Sequence, residues 1–117
     1  MQTKFAFKLN QITDNGVQYD DSFIKPLEKY IDESGMIFMY NGSDDFLDYT
    51  KDDFIGVIKS FLVKNDIITL TFDVLNKKYN ALQNLDLVLS MPLATGTINE
   101  ESKVINVDII DAIVVMM

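Results

Sequence analysis

Ser90 has a setting in which a serine could act as a nucleophile. It ends the apolar run LVLS, and Met91-Pro92 and a turn at Gly96 follow it. A serine hydroxyl becomes nucleophilic when a neighbouring base, ordinarily histidine, takes its proton. The sequence has no histidine, and no spacing singles out one of its ten lysines as a substitute base. We therefore interpret Ser90 as a strand hydroxyl that bonds to the backbone, not as a catalytic group.

Cysteine, arginine and tryptophan are also missing from the sequence. Without cysteine the chain has no thiolate nucleophile, no disulfide and no cysteine-ligated zinc. Without arginine it lacks the side chain that grips phosphate in two places, and its net charge of -8 repels a nucleic-acid backbone. We therefore predict a protein that is not an enzyme, holds no cofactor, and binds basic or neutral proteins instead of nucleic acid.

The segment with the most candidate ligands is the acidic loop, which we define as residues 43–53. It carries five aspartates, and carboxylate oxygens suit magnesium or calcium. A hydrolase that uses a metal held by Asp44, Asp45 and Asp48 is therefore one alternative. The spacing does not match the calcium-binding loop of alternating acidic residues, a glycine and a distant glutamate. A solvated anionic loop without a metal is the preferred interpretation.

Apolar residues inside this charged loop are the first candidates for partner contact. Phe46, Leu47 and Tyr49 lie among the aspartates. Apolar groups in such a loop either fix it to the core or present a contact to another protein. The sequence leaves both alternatives open, and we take all three as candidate partner-binding residues.

The C-terminal segment supplies the second set of candidates. It has no polar residue after Asp111, so both faces of a strand there must be covered. The cover is either the protein's own core or another subunit that pairs with the strand edge. Under the second alternative Ile113, Val115 and Met117 contact a partner, and the protein forms an oligomer through strand edges.

Hydrophobic periodicity predicts the elements that position these residues. Alternation of apolar and polar residues is typical of half-buried strands, and it recurs along much of the chain. We predict strands over residues 3–9, 36–40, 54–63, 67–75, 85–91, 94–98, 103–109 and 112–117, and a short helix over 26–35. Pro92 is predicted to interrupt the chain between two of these strands. The result is one domain, residues 1–117, of the mainly β (α+β) class: a small antiparallel barrel or sandwich of about six to eight strands with one or two short helices.

The sequence also bears on location. Residues 1–10 lack the apolar stretch and cleavage site of a secretory signal. The longest apolar run, residues 112–117, is far shorter than the roughly 20 residues of a membrane span. We expect synthesis in the cytoplasm and no membrane association.

The order of these features resembles that of the tailed-phage prohead proteases. The resemblance spans about residues 15 to 115 and rests on five segments: DNGVQYDDSFIKPLEKY, MIFMYNG, IGVIKSFLVKNDIITLTFDVL, LVLSMPLATGTI and VINVDIIDAIVV. That family has the herpesvirus-assemblin type of fold, a strand-rich serine protease domain that matures capsids. The resemblance implies the same fold for this chain.

The chain departs from the family at the catalytic residues. The family places a histidine after the strand that here ends MIFMYNGSDD, and this chain has none. Ser90 lies where the nucleophile strand would run, but Met91-Pro92 replaces the small or basic residues that usually follow. The resemblance therefore implies a fold without its protease machinery. It predicts a non-enzymatic virion protein made in the host cytoplasm, an auxiliary or decoration protein that contacts capsid or other head proteins.

A second function is compatible with the acidity of the chain. Acidic pairs occur at Asp20-Asp21, Asp44-Asp45, Asp52-Asp53 and Glu100-Glu101. A small host-takeover inhibitor that binds a basic host protein, in one version as a DNA mimic, would use such pairs. They are scattered through turns without one period, so this function ranks below a capsid protein. The metal-assisted hydrolase ranks third.

Overall fold

The computed structural model describes all 117 residues, which form a mainly β fold. The elements are β1 (Gln2–Phe5), β2 (Gln18–Tyr19), α1 (Ile24–Glu33), β3 (Met36–Met39), β4 (Phe54–Lys64), β5 (Ile67–Val74), β6 (Val88–Ile98) and β7 (Val104–Met116), with 3-10 segments at Asp21–Phe23, Phe46–Asp48 and Lys77–Asn84. Six strands close into a barrel in the order β7-β3-β4-β5-β1-β6, since β6 also pairs with β7. β2 lies outside the barrel against β7. The predicted class is confirmed, as a barrel and not a sandwich.

The barrel differs from the prediction in the direction of some strands. β4 pairs antiparallel with β3 and β5, and β6 pairs antiparallel with β7. β1 runs parallel to β6, and both β2 and β3 run parallel to β7. Parallel partners need a long connection, and each of these pairs is far apart in the chain. The sheet is therefore mixed where the sequence predicted an antiparallel one.

The β4–β5 hairpin confirms the strands predicted over residues 54–63 and 67–75. The predicted bounds left three residues, 64–66, between the strands. In the structure only Asn65 and Asp66 connect them, with φ angles of 53° and 64°. Two successive positive φ values are typical of a type I′ turn, whose twist matches that of the flanking strands. Every second residue of β5 is fully buried in the barrel, namely Ile68, Leu70 and Phe72. The period-2 pattern of β5 thus predicted its buried face correctly.

The inner core is the group of 17 buried residues that the barrel and α1 enclose. Leu27 and Tyr30 lie on the buried face of α1, and the Tyr30 hydroxyl donates a hydrogen bond to the Met36 carbonyl at 2.6 Å. The chain leaves the helix at Gly35, whose φ of 64° suits glycine at this position. None of the helices has the length and apolar character needed to cross a membrane.

The outer cluster lies on the opposite face of β3, β6 and β7, under the acidic loop. Its buried members are Phe38, Tyr49, Leu93, Ala112 and Val114. Neighbouring residues of a strand point to opposite faces, so Ile37 and Ile113 enter the inner core while Phe38 and Val114 enter the outer cluster. This double cover explains why the C-terminal segment is apolar on both faces.

β6 continues through Pro92, so the predicted interruption there is wrong. The two strands predicted over residues 85–91 and 94–98 form the single strand β6. Proline is tolerated in a strand where its missing N–H would face no neighbouring strand. β1 pairs only with residues 88–90 of β6, so that side of β6 is already open at Pro92.

β7 is also one strand, where the sequence predicted two over residues 103–109 and 112–117. Two register shifts against β6 leave Asp108 and Asp111 without a pairing partner, as in β-bulges. Each bulge shifts the alternation by one residue, so Val107 and Ile110 both enter the inner core although three positions separate them. The bulges interrupt the period-2 pattern, and this is the reason the prediction divided the strand.

β1 is shorter than the strand predicted over residues 3–9, because it ends at Phe5. The Ala6 amide donates to the Ser90 carbonyl at 3.0 Å, and this is the last backbone link between β1 and β6. Leu9 is nevertheless buried in the inner core, and Phe7 packs against it. The apolar alternation therefore continues beyond the strand because the segment after β1 still covers the core.

Candidate functional site

Ser90 lies on β6 with its side chain between strands, and it is fully buried. Its hydroxyl donates to the Lys4 carbonyl at 3.4 Å, and the neighbouring Thr3 hydroxyl donates to the Val88 carbonyl at 2.8 Å. Both buried hydroxyls are thereby satisfied by backbone oxygens of the β1–β6 pair. The structure places Ser90 as the sequence interpretation describes it, a strand hydroxyl bonded to the backbone.

Aromatic rings hold the acidic loop against the barrel. Three rings surround Phe38 of β3 edge-to-face, Phe46, Tyr49 and Phe54, with centroids 5.8, 5.9 and 5.9 Å away. Aromatic pairs favour this arrangement. The Tyr49 hydroxyl donates to the Ser43 carbonyl at 2.8 Å, and burial raises the pKa of that hydroxyl. Of the two alternatives for Phe46 and Tyr49, the structure shows the first, since these residues fix the loop to the core.

The carboxylates of the loop bond to the loop itself. Asp45 accepts a hydrogen bond from the Leu47 amide at 2.9 Å, and Asp48 accepts one from the Ser43 hydroxyl. Across the protein, no group of three or more acidic side chains is close enough to hold a metal ion. Asp44, Asp45 and Asp48 therefore do not form the site that a metal-assisted hydrolase would need.

Leu47 is the candidate of the acidic loop that stays in solvent, with 85% of its surface exposed. It lies on the 3-10 segment Phe46–Asp48, in which Phe46 packs against the outer cluster. Single exposed apolar residues are common on protein surfaces. Leu47 differs in its setting, because the loop around it is fixed by rings and hydrogen bonds and carries several carboxylates. It can therefore contact a partner without a change in the fold.

The candidate residues of the C-terminal segment also include both buried and exposed side chains. Ile113 and Val115 are fully buried in the inner core, and β7 is paired there with β3 on one side and β6 on the other. The structure thus shows the alternative in which the protein's own core covers this segment, and these two residues are not on the surface. Met117 is 78% exposed.

An open strand edge lies instead on β6, in residues 92–98. β6 pairs with β7 along its length, but β1 covers only residues 88–90 of its other side. The Ser90 carbonyl points toward β1, since it accepts the Ala6 amide. The residues skipped at the two register shifts lie on β7 and none on β6, so the backbone groups of β6 keep alternating, and the Asn99 amide just beyond its end donates to the Val104 carbonyl on the β7 side at 2.9 Å. The groups of residues 94, 96 and 98 therefore point toward the other side, where no strand follows. Residues 94–98 are all exposed.

A groove of about 720 Å³ adjoins this edge. Its lining includes residues 91–98 and the rings of Phe7 and Tyr19, which stack with centroids 4.4 Å apart. Asp14 and Asp44 are its only charged lining residues. The hydrophobic pattern did not reveal this site, although a proline inside a strand indicates an open edge.

The chain matches no protein-family model, no curated protein and no solved structure. The resemblance to the prohead proteases therefore stays a prediction. The acidic loop and the open edge of β6 are the features from which a function can be argued.

Proposed function

We propose that this protein is a non-enzymatic component of a phage virion, an auxiliary or decoration protein that contacts capsid or other head proteins. The observation that carries the binding role is Leu47, 85% exposed on a loop otherwise fixed to the barrel. A contact residue held in one place loses little conformational entropy on binding, which favours affinity. The virion as the setting comes from the resemblance to the prohead proteases.

The charge around Leu47 defines the partner's chemistry. Leu47 has three aspartates near it in the sequence, Asp44, Asp45 and Asp48. The salt bridges of the protein involve none of these aspartates. An apolar hollow with lysine or arginine at its rim is the complementary surface. Exposed charges of this kind accelerate association at low salt and are screened at high salt.

The placement of the reactive side chains supports a role without catalysis. Ser90, the one candidate nucleophile of the sequence analysis, is fully buried and bonded to the backbone. The loop carboxylates that could hold a metal act as hydrogen-bond acceptors within the loop. Leu47 and the open edge of β6, by contrast, lie on the surface, and both are suited to binding.

Mass spectrometry of purified virus particles tests the proposal. The protein should be present in intact particles, and its absence from them would overturn the virion role. In particles that carry Leu47→Ser, the copy number should fall because the apolar contact is lost. Leu62→Ser is the matched control, since Leu62 is 64% exposed on the half of β4 that pairs only with β5, and its change should leave the copy number unaltered.

The charge around Leu47 also favours the second function, a small inhibitor of a basic host protein. A protein absent from particles that instead binds one host protein, with affinity lost as salt rises, has this function. The same Leu47→Ser variant would then weaken binding to that host protein. The two functions thus share a surface and differ in the partner.

A further inference from the structure

We propose that the open edge of β6 accepts an extended, lysine- or arginine-bearing segment of the partner protein as an additional strand. The inference rests on the proposed function and gives it a second contact beside Leu47. Backbone groups of residues 94, 96 and 98 face this edge without a partner strand. Between residues 94 and 98 they span about 13 Å, enough for a short added strand to form several hydrogen bonds.

The groove gives side chains of the added strand a place to lie. Phe7 and Tyr19 contribute aromatic surface to it, and residues 91–98 contribute the strand itself. Strand addition draws affinity from main-chain hydrogen bonds and specificity from side-chain pockets. The groove therefore supplies side-chain pockets, directly beside the edge that supplies main-chain hydrogen bonds.

Charge selects a basic segment as the occupant. Asp14 and Asp44 are the only charged residues that line the groove, and no lysine lines it. A second copy of this chain, with a net charge of -8, would bring like charges together at the same edge. A partner segment with lysine or arginine neutralises the two aspartates instead.

A comparison with β4 shows that the edge of β6 is unusual in this protein. β3 covers only the beginning of β4, up to Val57, so the far half of β4 is also open on that side. Lys59 and Lys64 lie in this half, and lysines on an edge strand oppose pairing with further strands. β6 carries no charged residue between Val88 and Ile98, and only Pro92 lacks an amide proton.

The edge of β6 is also continuous with the Leu47 contact. A smaller groove of about 360 Å³ is lined by both Leu47 and Ala94, and Asp44 lines this groove and the larger one. One partner can therefore place an apolar group on Leu47 and a strand on β6 at the same time. Two linked contacts bind more tightly than either alone, because the second becomes intramolecular.

Selection from a random heptapeptide library displayed on phage, with the full chain as bait, supplies the probe. Enriched peptides should carry lysine or arginine and few acidic residues. They should bind the wild-type chain more weakly as salt rises. Failure to enrich any peptide, or enrichment of acidic ones, would overturn the inference.

Substitutions at Ala94 test where the enriched peptide binds. Ala94→Pro removes the amide proton that faces the open edge and should weaken peptide binding about tenfold. Pro92 shows that β6 holds a proline two residues earlier on the same side of the strand, and a melting curve checks that the variant is folded. Ala94→Val is the matched control: it adds a side chain of similar size but keeps the amide, so it should bind the peptide more tightly than Ala94→Pro does. Equal binding by Ala94→Pro and Ala94→Val would place the peptide elsewhere.

Amide hydrogen exchange on the wild-type chain needs no variant. The amides of Gly96 and Ile98 should exchange fast in the free protein and slowly in the peptide complex, whereas the amide of Thr95, which faces β7, should be slow in both. Unchanged exchange at Gly96 and Ile98 in the complex would contradict strand addition. A free chain that is already dimeric by sedimentation, with these amides protected, would show a second copy as the occupant and overturn the inference.

The proposed function and this inference fail separately. If the protein is present in particles and Ala94→Pro leaves its copy number unaltered while Leu47→Ser lowers it, the virion role stands and the strand edge is not used. If the protein is absent from particles but basic peptides still bind β6, the edge is a binding site and the virion role is wrong.

Discussion

The inner core and the outer cluster differ in what covers them. Strands and α1 enclose the 17 residues of the inner core, whereas one loop with several carboxylates supplies Tyr49 to the outer cluster and covers its other four residues. The loop stays in place because Phe46 and Tyr49 pack against Phe38 and because its carboxylates accept hydrogen bonds within the loop, whereas none of the salt bridges involves it. The comparison teaches that the Leu47 contact depends on the outer cluster, and that the barrel depends chiefly on the inner core.

Phe72→Ala should cause the largest loss of stability. Phe72 is fully buried in the inner core, where closed strands leave the surroundings little room to move into the cavity. Truncation of a buried phenylalanine costs about 3–5 kcal/mol in the free energy of unfolding. Urea denaturation measures the change, and Phe72→Leu should lose less because leucine fills part of the space. A loss below that of Phe38→Ala would contradict the ranking of the two clusters.

Phe38→Ala should cost about 3 kcal/mol, the low end for a buried phenylalanine and less than Phe72→Ala, because the acidic loop can settle into part of the cavity. The change removes three edge-to-face contacts at once, those with Phe46, Tyr49 and Phe54. The loop should lose its fixed position, so binding that depends on Leu47 should weaken as well. Hydrogen exchange should rise for amides of the acidic loop and stay unchanged in β5. An equal rise in exchange in the acidic loop and in β5 would show that the outer cluster and the inner core do not open independently.

Alkaline pH compares one tyrosine from each cluster. Burial raises the pKa of Tyr30 to about 12 and also raises the pKa of Tyr49. A tyrosine in the unfolded chain loses its proton near pH 10, so the unfolded state loses protons first as the pH rises. The stability that Tyr30 contributes is therefore complete below pH 10 and is lost between pH 10 and 12, on the order of 2–3 kcal/mol.

Urea denaturation at a series of alkaline pH values measures this loss. Tyr30→Phe should flatten the decline above pH 10 more than Tyr49→Phe does, because the larger shift belongs to the inner core. Tyr30→Phe also loses the hydrogen bond to the Met36 carbonyl, and that cost is the same at every pH below 10. If the two variants flattened the decline equally, the hydroxyls of Tyr30 and Tyr49 would be equally buried, which would contradict this prediction.

The regular parts of the fold could be predicted from the sequence, and the irregular parts could not. The period-2 pattern of β5 and the glycine after α1 follow from local rules, and both are observed. β7 escaped these rules because the bulges at Asp108 and Asp111 shift its alternation. Pro92 was informative but ambiguous, since a proline marks either the end of a strand or its open edge. Only the position at which β1 leaves β6 decides between the two.

The candidate site shows the same division. The sequence identified Phe46, Leu47 and Tyr49 as apolar residues in a charged loop, but it could not tell which of them pack and which remain in solvent. That distinction depends on Phe38 and Phe54, which lie outside the loop on β3 and β4 and meet its side chains only in the folded protein. The edge of β6 depends on the length of β1, which the continuing alternation of Phe7 and Leu9 concealed.

Leu47→Ser should have the smallest effect on stability and a large effect on binding. Because Leu47 is 85% exposed and packs in neither cluster, its change should shift the free energy of unfolding by less than about 0.5 kcal/mol. Partner affinity should fall, since an exposed apolar residue on a fixed loop contributes mainly in the complex. Urea denaturation and binding to purified particles measure the two effects on the same material. A stability loss as large as that of Phe38→Ala would show that Leu47 packs in the outer cluster. Leu47 would then not be the residue of the loop that is free to contact a partner.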